Sequence, residues 1–280
     1  MLARGICRIW LFGLFVSVLM LLLLSGCSGE SGGGSQGDNS DSNRLSDDNV
    51  RELDNVIEQQ MQDENLPGVV VGVWIPDEGE YVTAKGEANL DTGREREPED
   101  PFRIASITKT FTATAILQLV EEGKLSKPDR LSKWYPDFPN ADEITVEDLL
   151  RMRSGIDDPF DQEFIEYYYD NPEDDITAED MIERAAARAD QFEPPDQTTE
   201  YTNVNYSLLE EIVRKVSGND LGARITGRIF RPLGMESSLY PTNNALPGEL
   251  HGYGWNAQNE KFEEDHLQSG YSRRSRGNNL

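Results

Sequence analysis

Histidine and cysteine are almost absent from this chain, with two of each in 280 residues. Cys7 falls inside an N-terminal apolar run and Cys27 stands at its end, so no disulfide is expected, even on the oxidising side of a membrane. Cysteine-ligated metal sites are excluded by the same count. His251 is followed by Gly-Tyr and His266 by Leu-Gln, and neither belongs to a cluster of ligands or catalytic groups. No glycine-rich phosphate loop occurs either. The chain is therefore expected to need no metal and no organic cofactor. Positive charge is scarce too. The 26 Lys and Arg face 52 Asp and Glu, a formal net charge of −26. Such a surface repels nucleic acid and anionic lipid, which removes nucleic acid from the expected partners. Dense carboxylates stay hydrated in brine, so the excess also suits a salty habitat. There is no internal repeat.

A long apolar run does occur, at the start. "MLARGICRIWLFGLFVSVLMLLLLSGCSGE" places Arg4 and Arg8 before it, the layout of a secretory signal. It is nearly long enough for a membrane helix. Leu24-Ser25-Gly26-Cys27 resembles the lipobox of prokaryotic lipoproteins, which implies cleavage after residue 26 and a lipid on Cys27. The expected division is a signal peptide over 1–26, a Ser/Gly/Asp tether over 27–48 and a folded domain over 49–280. The domain would then be held at the cell membrane by its lipid, on the extracytoplasmic face.

Within the domain, residues 49–65 carry Leu53, Ile57 and Met61 at intervals of four, one amphipathic helix. "GVVVGVWI" reads as a buried strand over 69–75, and "YVTAKGEANL" returns as its hairpin partner. The loop "DTGREREPEDPFRIA" follows. Beyond it the pattern becomes helical. "ITVEDLLRMRSGI" has Thr145 as N-cap, Asp148 at the capping-box position and Gly155 as a stop. "TAEDMIERAAARA" repeats the device from Thr177, and residues 205–217 line Leu208, Leu209, Ile212, Val213 and Val216 along one side. This order predicts an α+β domain in which a helical lobe is inserted after an antiparallel sheet has begun.

The chemistry sits at the start of the first lobe helix, "RIASITKTFTATAILQLVEEGK". Ser106 is the only serine with a lysine three residues later. Residues three apart are neighbours on a helix, so Lys109 stands beside Ser106 as an amine base stands beside a hydroxyl nucleophile. Phe111, Ala115, Ile116, Leu119 and Val120 give the helix an apolar face, and Gly123 stops it. A helix start buried in this way is expected to be screened from water. Serine acylases built on Ser-x-x-Lys carry a second element, Tyr-x-Asn or Ser-x-Asn, from a helical lobe. Two segments qualify. Tyr169-Asp170-Asn171 lies in an acidic, proline-containing stretch and reads as a solvated loop. Tyr201-Thr202-Asn203 precedes an apolar helix that can hold it rigidly, and it is the favoured one.

Together these segments resemble the class C β-lactamase and D-alanyl-D-alanine carboxypeptidase-like serine hydrolases, the broad β-lactamase-related family. "FRIASITKTFTATAILQLVEEGKLS" is similar to its first motif and helix. "YTNVNYSLLEEIVRKVSG" is similar to its second, with Glu210 where glycine is usual. Met152-Arg153-Ser154-Gly155 stands where His-Thr-Ser-Gly is common, and "IFRPLGMESS" resembles a "PLGM" turn. The resemblance implies a β-lactamase/transpeptidase-like fold with Ser106 as nucleophile, Lys109 as its proton acceptor or tuning group, and Tyr201 as general base or acid. Asn203 would bind a substrate amide. Which of Lys109 and Tyr201 is the base stays open. The implied substrate is a small molecule or peptide: a β-lactam, a D-Ala-D-Ala peptide or an ester. Oligomeric state is not readable.

One departure stands out. The family's third motif, Lys or His, any residue, then Gly, is not found, and the C-terminal strands of the sheet are expected to be missing. That strand would supply half of an oxyanion hole, and losing one such donor costs about 10²–10³ in rate. The basic ending "YSRRSRGNNL" fits a frameshift or premature stop as well as a surface tail. The alternatives to a lipid-anchored hydrolase are therefore an inactive binding lipoprotein and a non-functional truncated product.

Overall fold

The computed structural model describes residues 44–171, 176–241, 252–256 and 261–264. The chain divides into two units, 1–44 and 45–280, and the elements below all belong to the second. Cys27, His251 and His266 lie outside the described residues. Within them, no helix is long and apolar enough to cross a membrane.

Helix α1, Asp47–Asp63, begins two residues before its expected start because Ser46 caps it, accepting from the Asn49 N–H. Strands β1 (Gly68–Ile75) and β2 (Gly79–Asn89) form the antiparallel hairpin, in register from Gly68 opposite Gly86 to Ile75 opposite Gly79. Val69, Val71, Val73 and Ile75 share one face of β1, as alternation requires. They pack with Val50, Leu53, Ile57, Met61 and Tyr81 into a core under α1. Tyr81 donates from its hydroxyl to Asp54 at 2.7 Å, and Lys85 reaches Asp54 and Glu58 at 2.8 Å each, so the same helix is also held by its polar flank.

The charged loop after β2 has more structure than its composition suggests. A two-residue strand β3, Arg94–Glu95, adds to β2 beyond a bulge. Asp100 is buried and accepts from Arg94 at 2.7 and 3.0 Å and from the Glu97 N–H at 3.0 Å. The Arg94 guanidinium, more than any other neighbour, holds the Asp100 carboxyl below its usual range. A loop fixed at this point delivers a defined chain direction to Ser106.

The lobe is built around α6. Helices α2 (Thr108–Glu121), α3 (Val146–Leu150), α4 (Gln162–Asp170), α5 (Ala178–Ala186), α6 (Val204–Ser217) and α7 (Leu221–Ile225) follow in order. Of these, α2, α3, α5 and α7 pack on α6. Ala115, Ile116 and Leu119 of α2 meet Leu208, Leu209, Ile212 and Val213 of α6 in the main core. A π-helix, Thr226–Phe230, follows α7 directly. Both capping boxes form: Thr145 with Asp148, and Thr177 with Asp180. Gly123, at φ +67°, ends α2 in a Schellman motif, with Lys124 N–H on Leu119 O and Gly123 N–H on Val120 O. Gly155 does not act as a helix stop, because α3 is over by Leu150 and Met152 already has φ +56°. The 169–171 segment is not a loop: Tyr169 and Asp170 close α4.

A second sheet pairs β4 (Tyr253–Asn256) with β5 (Lys261–Glu264). The Tyr253 hydroxyl accepts from the Leu90 N–H at 2.8 Å, linking this hairpin to the end of β2.

Candidate active site

Ser106 lies in a single 3-10 turn, Ala105–Ile107, that runs into α2. Ala105 before it has φ +44°. A side-chain-bearing residue in that left-handed region costs roughly 1–2 kcal/mol, and such strain gathers at functional sites. The turn points Ser106 outward. Ser106 is exposed, as are Ile104 and Ile107 beside it, so the expectation of a water-screened helix start is corrected: the core begins one turn later, at Thr112 and Ala115.

Lys109 follows one turn along and is half-buried. Its Nζ donates to Ser106 Oγ at 3.1 Å. It also lies 5.1 Å from the Tyr201 ring centroid and 5.8 Å from that of Tyr206, within the range of cation–π attraction. Among the described residues it makes no ion pair. Tyr201 comes from the other side of the lobe, 95 residues away, and its hydroxyl shares a 2.8 Å hydrogen bond with Ser106 Oγ. Asn203 completes the group. Its Oδ1 accepts from Lys109 Nζ at 2.9 Å and from the Tyr201 hydroxyl at 3.4 Å. The structure thus brings Ser106, Lys109, Tyr201 and Asn203 into one hydrogen-bonded set.

The Met152–Gly155 segment explains how Tyr201 is held. Its carbonyls at Met152, Arg153 and Gly155 accept from the N–H groups of Glu200, Asp196 and Glu193 at 2.8–3.0 Å. The loop leading to Tyr201 is therefore laid along it. A Cβ on Gly155 would stand 2.0 Å from the Glu193 carbonyl oxygen, and φ there is +72°, so only glycine fits. Ser154 is buried and donates to Asn205 Oδ1 at 2.5 Å, while Asn205 Nδ2 turns to Met152 Sδ at 3.3 Å. The Tyr206 hydroxyl donates to Leu150 O at 3.3 Å. These bonds clamp the first turn of α6, and with it Tyr201 and Asn203, against the end of α3.

One member of the site had no mark in the sequence. Asp158 Oδ2 accepts from both the Asn203 N–H, at 3.2 Å, and Asn203 Nδ2, at 3.1 Å. Burial pushes the Asp158 carboxyl above its ordinary value. The two Asn203 bonds and the Phe160 N–H oppose that shift, and the Asp157 charge adds to it. In sequence, Asp158 is one acid among five in the run 157–166, and only the fold distinguishes it.

Chemically, a hydroxyl in contact with both an amine and a phenol can lose its proton to either as it attacks a carbonyl. Tyr201 is 54% exposed, so this hydrogen-bonded set is open to solvent on its Tyr201 side.

Known proteins similar to this chain identify its family. A family model described as Beta-lactamase matches residues 53–277. "Protein flp" of Staphylococcus aureus strain N315 is 31% identical over 218 residues, covering 75% of this chain and 42% of that protein. The "Putative penicillin-binding protein PbpX" of Bacillus subtilis strain 168 is 34% identical over 178 residues, 62% of this chain and 42% of its own length. Among solved structures, the octameric penicillin-binding protein homologue from Pyrococcus abyssi superposes with a TM-score of 0.66 at 30% identity, covering 77% of this chain and 50% of that one. The D-amino acid amidase from Ochrobactrum anthropi SV3, complexed with L-phenylalanine, gives 0.62 at 27% identity, covering 75% and 58%. The chain spans about half the length of the relatives it matches.

Proposed function

Because this chain belongs to the beta-lactamase family, we propose that it is a serine hydrolase that cleaves an amide or ester through an acyl-enzyme on Ser106. The observation that carries the reading is the contact of Ser106 Oγ with both Tyr201 OH, at 2.8 Å, and Lys109 Nζ, at 3.1 Å. Ser106 Oγ attacks the substrate carbonyl, and its proton passes into the Lys109–Tyr201 pair. The same pair returns a proton to the leaving amine or alcohol as the tetrahedral intermediate collapses. Water then attacks the acyl-enzyme and gives a proton to the pair, and the pair returns a proton to Ser106 Oγ as the acyl bond breaks, which restores the serine. Asn203, held by Lys109 at its Oδ1, marks the side on which the substrate amide lies.

The substrate class is drawn from the company the fold keeps. Relatives include proteins named for penicillin binding and for D-amino acid amide cleavage, so a β-lactam, a D-Ala-D-Ala peptide or an ester of similar shape is the proposed substrate. The place of action is proposed from the sequence: Cys27, after Leu24-Ser25-Gly26, carries a lipid and holds the domain at the outer face of the membrane. A single acyl chain binds membranes with only about 10⁴ M⁻¹, whereas two or more hold firmly. Cys27→Ser is expected to release the protein into the medium or leave its precursor uncut, and an unmodified Cys27 in the mature protein's mass spectrum would overturn the anchor.

The activity is tested with a chromogenic β-lactam, a D-amino acid amide and a p-nitrophenyl ester. Hydrolysis of at least one, lost in Ser106→Ala, is the expected result. Hydrolysis undiminished in Ser106→Ala would overturn the assignment.

A further inference from the structure

Asp157, Asp158 and Asp161 lie within five residues, and their surroundings differ. Arg188 Nε donates to Asp157 Oδ2 at 2.7 Å, and Arg188 Nη1 to Asp161 Oδ2 at 2.5 Å. Arg184 Nη2 reaches Asp161 Oδ1 at 3.2 Å, and its Nε reaches the Pro159 carbonyl at 3.2 Å. Two carboxylates of the loop are thus tied to α5 and the residues after it. Asp158, between them, makes no ion pair among the described residues. It faces inward and spends one oxygen on the two N–H donors of Asn203.

The consequence falls on the Asn203 amide. An asparagine side chain presents an acceptor at one end and donors at the other. With Nδ2 on the Asp158 carboxylate, Oδ1 must face Lys109 and Tyr201, as it does at 2.9 and 3.4 Å. Turning the amide over would set its carbonyl against the carboxylate and its NH₂ against the Lys109 amine, two repulsive contacts in place of two bonds. We propose that Asp158 is a positioning residue that fixes the orientation of Asn203, so that Asn203 Oδ1 holds Lys109 Nζ against Ser106. The proposal rests on the reading of Ser106 as nucleophile only for its effect on rate, and not for the orientation itself.

Two measurements on the full chain decide it. The first is hydrogen exchange of the Asn203 side-chain NH₂, followed by NMR. Exchange is expected to be slowed in the wild type and to rise to solvent-like rates in Asp158→Ala. Solvent-like exchange in the wild type would overturn the proposal without any variant. The second is the rate at which a fluorophosphonate acylates Ser106. Asp158→Ala is expected to lower it by about 10²-fold, the size of an approximately 1 Å misplacement of a catalytic group. Asp158→Asn, whose Oδ1 still accepts, should regain most of that loss. On an Asn203→Ala background Asp158→Ala should add nothing. A full additional loss on that background, or equal losses in Asp158→Ala and Asp158→Asn, would overturn the proposal. A wild type that takes no label contradicts the proposed function instead, and the exchange measurement still decides the orientation.

Discussion

Lys109 and Tyr201 touch the same oxygen, and their separate removal distinguishes their work. General acid–base groups contribute about 10²–10⁴-fold. Tyr201→Phe deletes only the hydroxyl 2.8 Å from Ser106 Oγ and keeps the ring beside Lys109. Lys109→Ala removes the bonds to Ser106 and Asn203 together. Single-turnover acylation is expected to fall by about 10² or more in each, and a normal rate in either would remove that residue from the mechanism. A different residue governs stability. Glu210, on α6, is pushed up from 4.5 to about 8, chiefly by burial and then by the neighbouring Glu211 charge; the Tyr240 hydroxyl, 3.5 Å away, opposes this. Below about pH 4.5 the carboxyl is protonated both folded and unfolded and costs nothing. Between there and pH 8 the unfolded chain gives up a proton that the folded chain keeps, so stability falls as pH rises. The drop attributable to Glu210 is at most about 5 kcal/mol. Glu210→Gln should flatten urea-unfolding stability across that window, and an unchanged slope would contradict the cause given.

The two threonine caps were legible as elements because a capping box is local. Thr145 with Asp148 and Thr177 with Asp180 need only each other. Thr145→Ala is expected to cost about 1 kcal/mol in chemical denaturation. Gly155→Ala should cost more, since both a positive φ and the Glu193 carbonyl at 2.0 Å oppose the new methyl. It should also slow acylation, because the displaced strand of backbone carries Tyr201. The sequence pattern marks Gly155 as a helix stop, whereas its work in the fold is to let residues 193–200 lie close. That role depends on a segment some forty residues away, which no local pattern reveals. The same applies to Asp158 and to the exposure of Ser106. The Ser-x-x-Lys spacing and the later Tyr-x-Asn could be read along the chain, but the turn that points Ser106 outward follows from φ +44° at Ala105. The π-helix at Thr226–Phe230 and the short strand Arg94–Glu95 also had no sequence mark. The first continues a helical pattern, and the second depends on a bulge in its partner.

At the scale of the molecule, charge and packing act separately. Carboxylates outnumber cations two to one, and their mutual repulsion weakens as salt shortens the Debye length from about 10 Å at 0.1 M to about 3 Å at 1 M. The melting temperature should therefore rise with sodium chloride over that range, and a fall would contradict self-repulsion as the dominant surface term. The lobe around α6 sets the proposed catalytic group in place from both ends, α2 carrying Lys109 with Ser106 in the 3-10 turn that leads into it, and Asn203 standing at the N-cap of α6 with Tyr201 two residues before it. The account's central claim is that these parts make Ser106 a nucleophile. The direct measurement is intact-mass analysis of the full chain after incubation with a fluorophosphonate and with a penicillin, followed by peptide mapping. The account predicts one adduct per chain, on Ser106, absent in Ser106→Ala. An adduct on another residue, or one that survives in Ser106→Ala, would contradict it.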